Sequence, residues 1–235
     1  MVDDSAPGPT DFGAELCAAF QQDLPITGVA VSAFPGMVPE TPICASDAIS
    51  ARIDEMQFEL GEGPRWTAMR TRRPVALPNV KSDGHPQWPV FAKALLTLDV
   101  SALFEFPLVL GSMDIGVVEL YSTASGPLSP ADHAKALQLA DAAAWKLLRH
   151  LLTAAPLDAT APYRDDGPRL SRREIHQATG MVLAQAGVSA TDALLLLRAH
   201  AFAQGRPVHE VARDVVGRIL DFTPTGGGGG DGSVQ

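Results

Sequence analysis

Residues 171–220 limit the fold of this chain more than any other stretch, because they carry three short helical patterns with separate start and stop signals. Ser171 with Glu174 has the form of a capping box, in which the hydroxyl takes one free backbone N–H and the carboxylate reaches back to another. Ser189 with Asp192 repeats the device with a shorter acid. Gly187 and Gly205 stand where a left-handed residue would end the first and second helices. Pro207 suits the opening of the third, where its missing N–H is not needed. The apolar residues follow these boundaries at spacings of three and four. Ile175, Ala178 and Val182 form one stripe; Leu194, Leu197, Ala201 and Phe202 a second; Val208, Val211, Ala212, Val215 and Ile219 a third. Helices this short hide such stripes by packing together, so the segment predicts a three-helix bundle. Gly180 falls inside the first helix, where it costs about 1 kcal/mol relative to Ala. A close helix crossing is the commoner reason for such a glycine, a ligand approach the other.

Charge separates this segment from the rest. The chain as a whole carries −9, which argues against indiscriminate coating of nucleic acid. From Arg169 to Leu220, however, seven arginines stand against four acids, a net +3, leaving −12 for the remainder. The cations there are all arginine, whose planar fork suits paired hydrogen bonds to phosphate. A codon bias toward Arg and Ala would leave the same composition.

The residues of this stretch carry a resemblance. Ile175, Ala178, Gly180, Met181 and Leu183, then Ser189, Ala193, Leu197, Arg198 and Ala201, then Val211-Ala212, resemble the ANTAR domain of bacterial transcription antiterminators. The resemblance implies a three-helix bundle that recognises paired stem-loops in leader transcripts and keeps a terminator hairpin from forming. It implies RNA contact through Arg172, Arg173 and Arg198. The small positions Ala178 and Gly180 would shape the same surface or let the helices approach.

Upstream, the pattern is mixed α/β. Residues 11–22, 48–60, 65–72 and 90–97 read as helices, and 26–34, 42–46, 74–78, 101–110 and 115–122 as strands rich in Val, Ile, Leu and Phe. Only Gly111-Ser112-Met113-Asp114 separates the last two strands, which predicts an antiparallel hairpin. Residues 129–152 form the strongest helical pattern, with Ser129 as cap, Pro130 in the first turn and Asp132 near the positive end of the dipole. Leu137, Ala140, Ala144, Leu147, Leu148 and Leu151 give it an apolar side, and its further alanines offer a dimer seam.

This region resembles a GAF domain. The residues are Phe58 through Pro64 with Ala68, Pro74-Val75, Pro78-Asn79, Trp88-Pro89, Phe104 through Leu108, and Ile115 through Val118. The resemblance implies a sensing module holding a small ligand between sheet and helices, and names no ligand. The expected organisation is therefore α+β: a GAF-like sensor of antiparallel sheet and flanking helices at 11–152, a proline-rich linker at 153–168, an ANTAR-like three-helix bundle at 169–222, and a disordered glycine-rich tail at 223–235. The linker prolines discourage one continuous helix, so a signal would pass by docking or by dimerisation rather than along a lever.

Specific chemistry is sparse. Gly61-Glu62-Gly63-Pro64 lacks the Lys and Ser/Thr of a P-loop and reads as a turn entering the helix that contains Trp66. His85 and Trp88 are ligand-pocket candidates in a loop, where a solvated histidine is the ordinary alternative. Glu105 interrupts a run of apolar residues in a strand, where an ionised carboxylate needs a partner or a raised pKa. It faces solvent on an uncovered part of the sheet, the favoured reading, or meets a cationic ligand. Cys17 and Cys44 match no zinc spacing and are expected as buried reduced thiols. Histidines 133, 150, 176, 200 and 209 fall on helical patterns without a nucleophile nearby, so no enzyme is expected. No signal segment and no membrane-length apolar run is apparent. The expectation is a cytoplasmic, homodimeric sensor–effector acting on RNA stem-loops, with an unidentified small molecule at the GAF-like domain. The alternative is a sensor whose bundle acts only through protein contacts or dimerisation.

Overall fold

Alternating strand and helix signals over the first two thirds of the chain and purely helical ones thereafter separate into two compact units, Met1–Arg169 and Leu170–Gln235. The computed structural model describes residues 9–34, 40–82, 85–153 and 167–223.

The first unit is built on one antiparallel sheet. Its elements are α1 (Pro9–Asp23), β1 (Gly28–Ala33), β2 (Thr41–Ala45), α2 (Ala48–Leu60), α3 (Pro64–Thr71), β3 (Val75–Leu77), α4 (Pro89–Leu95), β4 (Ala102–Leu110), β5 (Met113–Ser122) and α5 (Pro130–Thr153). The strands lie in the order β2-β1-β5-β4-β3, every neighbouring pair antiparallel. The β4–β5 hairpin is tighter than the sequence suggests, since Met113 and Asp114 already pair within the ladder. Alternation along β4 and β5 then sends side chains to two different cores. Phe104, Phe106, Val118 and Leu120 meet α1 and α5 on one face. Leu103 and Tyr121 meet residues of α2 and α4 on the other, among them Ile53, Met56, Phe91 and Leu95.

The caps explain where the helices begin. Asp47 accepts from the N–H groups of Ile49 and Ser50 while the Ser50 hydroxyl accepts from Asp47 N–H, a closed capping box at α2. Ser129 caps α5 by accepting from Asp132 N–H at 3.1 Å. Leu137, expected on the buried side of α5, is instead exposed with Trp145 and Leu152. The buried line of that helix is Ala136, Ala140, Ala143, Ala144 and Leu147, because alanines let it lie close to the sheet.

Cys17 and Cys44 form a disulfide rather than two buried thiols. The physical reason is local. α1 crosses β2 so closely at Gly13 that a Cβ there would stand 2.8 Å from the Ile43 carbonyl oxygen. One turn later on the same helix face comes Cys17, its Cα 6.4 Å from that of Cys44, within bridging range.

The second unit comprises α6 (Gly167–Ala186), α7 (Ala190–Gln204) and α8 (Val208–Val216). Gly187 and Gly205 adopt the left-handed conformation at φ 66° and 63°, and Ser189 accepts from Asp192 N–H. α6 begins at Gly167, so Ser171 lies within the helix and not at its cap, and Pro168 sits in its first turn. Ile175, Ala178, Val182, Ala193, Leu197, Ala201, Val208, Val211, Ala212 and Val215 are buried as the spacing requires. Three stripe members are not: Leu194 is half-buried, its neighbour Ala193 taking the inward position. Phe202 is 78% exposed because it lies about 100° round the helix from Ala201, and Ile219 follows the end of α8 and is exposed. The expected linker and tail fall, except for 153, 167–168 and 223, outside the described residues.

Candidate functional sites

The sheet unit holds a polar cluster inside its second core. Register pairs Glu105 of β4 directly with Glu119 of β5, and both have the parity of Leu103 and Tyr121, so both point toward α2 and α3. Each is fully buried. Gln57 of α2 reaches between them: its Nε2 donates to Glu105 Oε1 and to Glu119 Oε2, each at 2.5 Å. Its Oε1 accepts from Arg65 N–H at 2.9 Å, and its backbone carbonyl accepts from Trp66 Nε1 at 2.9 Å. Gly63 makes room for this amide. Its φ of 136° is open to glycine, and a Cβ there would stand 2.3 Å from Gln57 Oε1. The Gly61-to-Pro64 segment is thus the turn into α3 that the sequence indicates, and its Glu62 carboxylate accepts from the N–H groups of Val90 and Phe91 at the start of α4.

Arg65 is the cation of this cluster. Its guanidinium is wholly buried, ion-paired to Asp54 and to Glu40, the latter at 2.5 Å, and lies 5.8 Å from the centroid of the Phe34 ring. Asp54 also accepts from the Ser32 hydroxyl at 2.7 Å. Desolvation pushes the Glu105 carboxyl up to about 7, partly offset by Arg65 and by the hydrogen bonds from Gln57 and Glu119. Desolvation and then the Glu105 charge hold Glu119 well above the ordinary carboxylate range. Glu105 therefore does not face solvent: α2 and α3 cover that part of the sheet, which the strand pattern of β4 alone does not reveal. Its polar partners are Gln57, Glu119 and Arg65; His85 and Trp88 are not among them. Those two residues lie together before α4, ring centroids 6.2 Å apart, with Trp88 packed against the second core.

A raised folded pKa sets the sign of the pH dependence. The contribution of Glu105 to stability is fully present below its ordinary 4.5 and is lost as pH rises through about 7. Glu105→Gln keeps an acceptor for Gln57 and supplies a permanent donor toward Glu119. The loss of stability between pH 5 and pH 8 should therefore shrink by about 1–3 kcal/mol. Urea unfolding at the two pH values checks it; an unchanged difference would contradict the assignment.

In the helical unit the expected RNA-contacting residues separate. Arg173 and Gly180 are exposed, Arg198 is half-buried, and Arg172 and Ala178 are buried, at 1% and 0% exposure. A Cβ at Gly180 would meet nothing within 4 Å, so no helix crosses there among the described residues and the commoner explanation fails. Part of the positive charge is already engaged. Arg206 pairs with Glu210 and Asp214, and Arg213 with Glu174. Sequence reasoning missed a second apolar line on α7, the exposed Leu195 and Phe202, seven residues apart and hence on one side. The run Leu194–Leu197, apolar all round the helix, was its signal.

Comparison with known proteins bears on each unit. Residues 169–216 match the family model of the ANTAR domain. No curated protein matches the chain. Among solved structures, the GAF domain of a phosphoenolpyruvate-protein phosphotransferase from Coxiella burnetii is similar at 14% identity and TM-score 0.51, covering 63% of this chain and 88% of that one. A GAF domain/HD domain protein from Geobacter sulfurreducens is similar at 18% identity and TM-score 0.49, with 61% and 94% covered. The GAF domain of a two-component sensor histidine kinase from Bacillus halodurans gives 12%, TM-score 0.49, and 63% and 98%. At 14% identity the likeness to the first of these is one of fold.

Proposed function

We propose that this chain, which joins a unit of GAF fold to an ANTAR domain, is a cytoplasmic regulator that binds structured leader RNA and permits transcription past a terminator. The observation that carries the proposal is the match of residues 169–216 to the ANTAR domain. The net positive charge of that segment within an acidic chain agrees with it, as does the bundle formed by α6 to α8. Arg173, Arg198 and Gly180 are the contact residues of choice, since each has surface to offer. Ala178, at 0% exposure, serves helix packing, and Arg172, at 1%, is a contact only if α6 shifts on binding. Duplex RNA has a deep major groove that side chains do not read, so recognition rests on backbone shape and loop bases. The GAF-fold unit is the sensor in this reading, and neither unit catalyses a reaction.

Purified protein should shift an RNA with two tandem hairpins more strongly than duplex DNA or a scrambled RNA, and Arg198→Ala should weaken the shift. Equal binding to all three would sink the proposal. Gly180→Ala separates surface from scaffold. It should stabilise α6 by about 1 kcal/mol, because the helix interior gains a better former and the site is open. RNA affinity should nonetheless fall if the backbone there meets the ligand. A gain in stability with unchanged affinity would remove Gly180 from the interface.

A second reading is favoured by the exposed apolar residues. Leu195 and Phe202 on α7, and Trp145 and Leu152 on α5, are large side chains in water, at 62%, 78%, 65% and 77% exposure. In this reading the bundle acts through protein contacts or dimerisation. Sedimentation of Trp145→Glu and Phe202→Glu against the unaltered chain tells which line, if either, joins two copies.

A further inference from the structure

Two carboxyl groups stand opposite each other across β4 and β5, both withdrawn from the solvent surface at 0% and 1% exposure. Cross-strand neighbours have Cβ atoms about 4.5–5.5 Å apart, so two ionised carboxylates there repel at close range in a medium of low dielectric. Gln57 supplies one hydrogen to each. That leaves Glu105 Oε2 and Glu119 Oε1, both buried, with no N–H or O–H donor among the described residues. A bond from one carboxyl to the other requires a proton.

We propose that Glu105 and Glu119 form a binding site for one exchangeable proton, and that its release alters the seat of α2 and α3 on the sheet, making the N-terminal unit a sensor of pH. The charged surroundings poise the site and do not satisfy it. From α3 comes Arg65, from α2 Asp54, and from the residue before β2 Glu40; the last two already hold the guanidinium. The partners of the pair on the flanking strands are Val75 of β3 and Ala30 of β1, which bring no charge. Arg65 is thus committed to Asp54 and Glu40, and a proton shared by Glu105 and Glu119 is the less costly way to hold two carboxyls side by side in the core. Burial raises both carboxyls, so the pair holds a proton between them near neutral pH.

The route outward runs through Gln57. Its side chain touches β4 and β5, its Oε1 holds the first turn of α3, and its carbonyl holds the Trp66 indole. The strands are fixed by their own ladder, whereas α2 and α3 meet the pair through this one amide and through Arg65. When the proton leaves, these helices are the elements free to adjust. The inference goes beyond the regulatory reading by naming a signal, and its test uses no RNA.

Trp66 is the natural reporter. In the full chain with Trp88→Phe and Trp145→Phe, Trp66 is the remaining tryptophan. Its emission should change in one single-proton step between about pH 5.5 and pH 8.5, the range a buried carboxyl reaches. In parallel, the infrared carbonyl stretch of a protonated carboxyl should persist at neutral pH and fade through the same step. Glu105→Gln and Glu119→Gln, made separately so that one folded variant suffices, should each abolish both changes. An emission that stays flat over this range, or a step that survives in the folded variant, overturns the proposal.

Discussion

Arg65→Ala is expected to destabilise the N-terminal unit by about 3–5 kcal/mol, the usual consequence of removing one partner of a buried ion pair. Arg65 is 0% exposed and holds Asp54 and Glu40, themselves nearly buried, so its loss removes the guanidinium that both carboxylates share. The same change withdraws the cation that lowers Glu105 and Glu119, so both should hold protons to higher pH. Arg65→Lys keeps the charge but not the fork that reaches two acids at once, and should recover only part of the loss. Urea unfolding followed by the emission of Trp66, which lies beside Arg65 on α3, reads the effect where it arises. A loss below about 1 kcal/mol would show that the cluster relaxes or takes in water, contrary to its burial here.

Reduction of the Cys17–Cys44 bridge is the second large effect. Its partners are 27 residues apart. In the loop-closure account, opening a ring of that size returns conformational freedom to the unfolded chain and costs about 3.5 kcal/mol. The loss should appear as a lower unfolding midpoint of the N-terminal unit in the presence of a thiol reductant, and Cys17→Ser should reproduce it without reductant. The two treatments together should do no more than either alone. Additive effects would mean that the reductant acts elsewhere, or that the substitution damages packing where α1 meets β2.

Much of this molecule was legible beforehand because its signals are local. The caps at Ser129 and Ser189 and the left-handed glycines at 187 and 205 satisfy backbone groups within a few residues. Apolar period alone separates strands from helices, and the bundle core from Ile175 to Val215 follows from spacing. Where local signals compete, the structure departs from the pattern. Pro168 reads as a linker residue but opens α6, since proline is accepted in a first turn. Phe202 reads as core because it is large and apolar, while small Ala201 beside it takes the inward position.

What the sequence determined by itself is the kind of protein: a mixed α/β unit of GAF type, then three helices resembling an ANTAR domain, with positive charge gathered in the latter. The elements and the charge reside in periods, caps and composition, and the two resemblances in particular residues, all of which are written along the chain. The tertiary structure alone decided the functional interior. Glu105 and Glu119 are 14 residues apart, Gln57 is 48 before the first, and Cys17 and Cys44 are 27 apart. Side-chain periodicity indicates that Glu105 points to one face of a strand; which helix covers that face depends on β4–β5 register and on the seating of α2 and α3. Burial turns an ordinary surface acid into half of a proton site, and burial is a property of the packed whole.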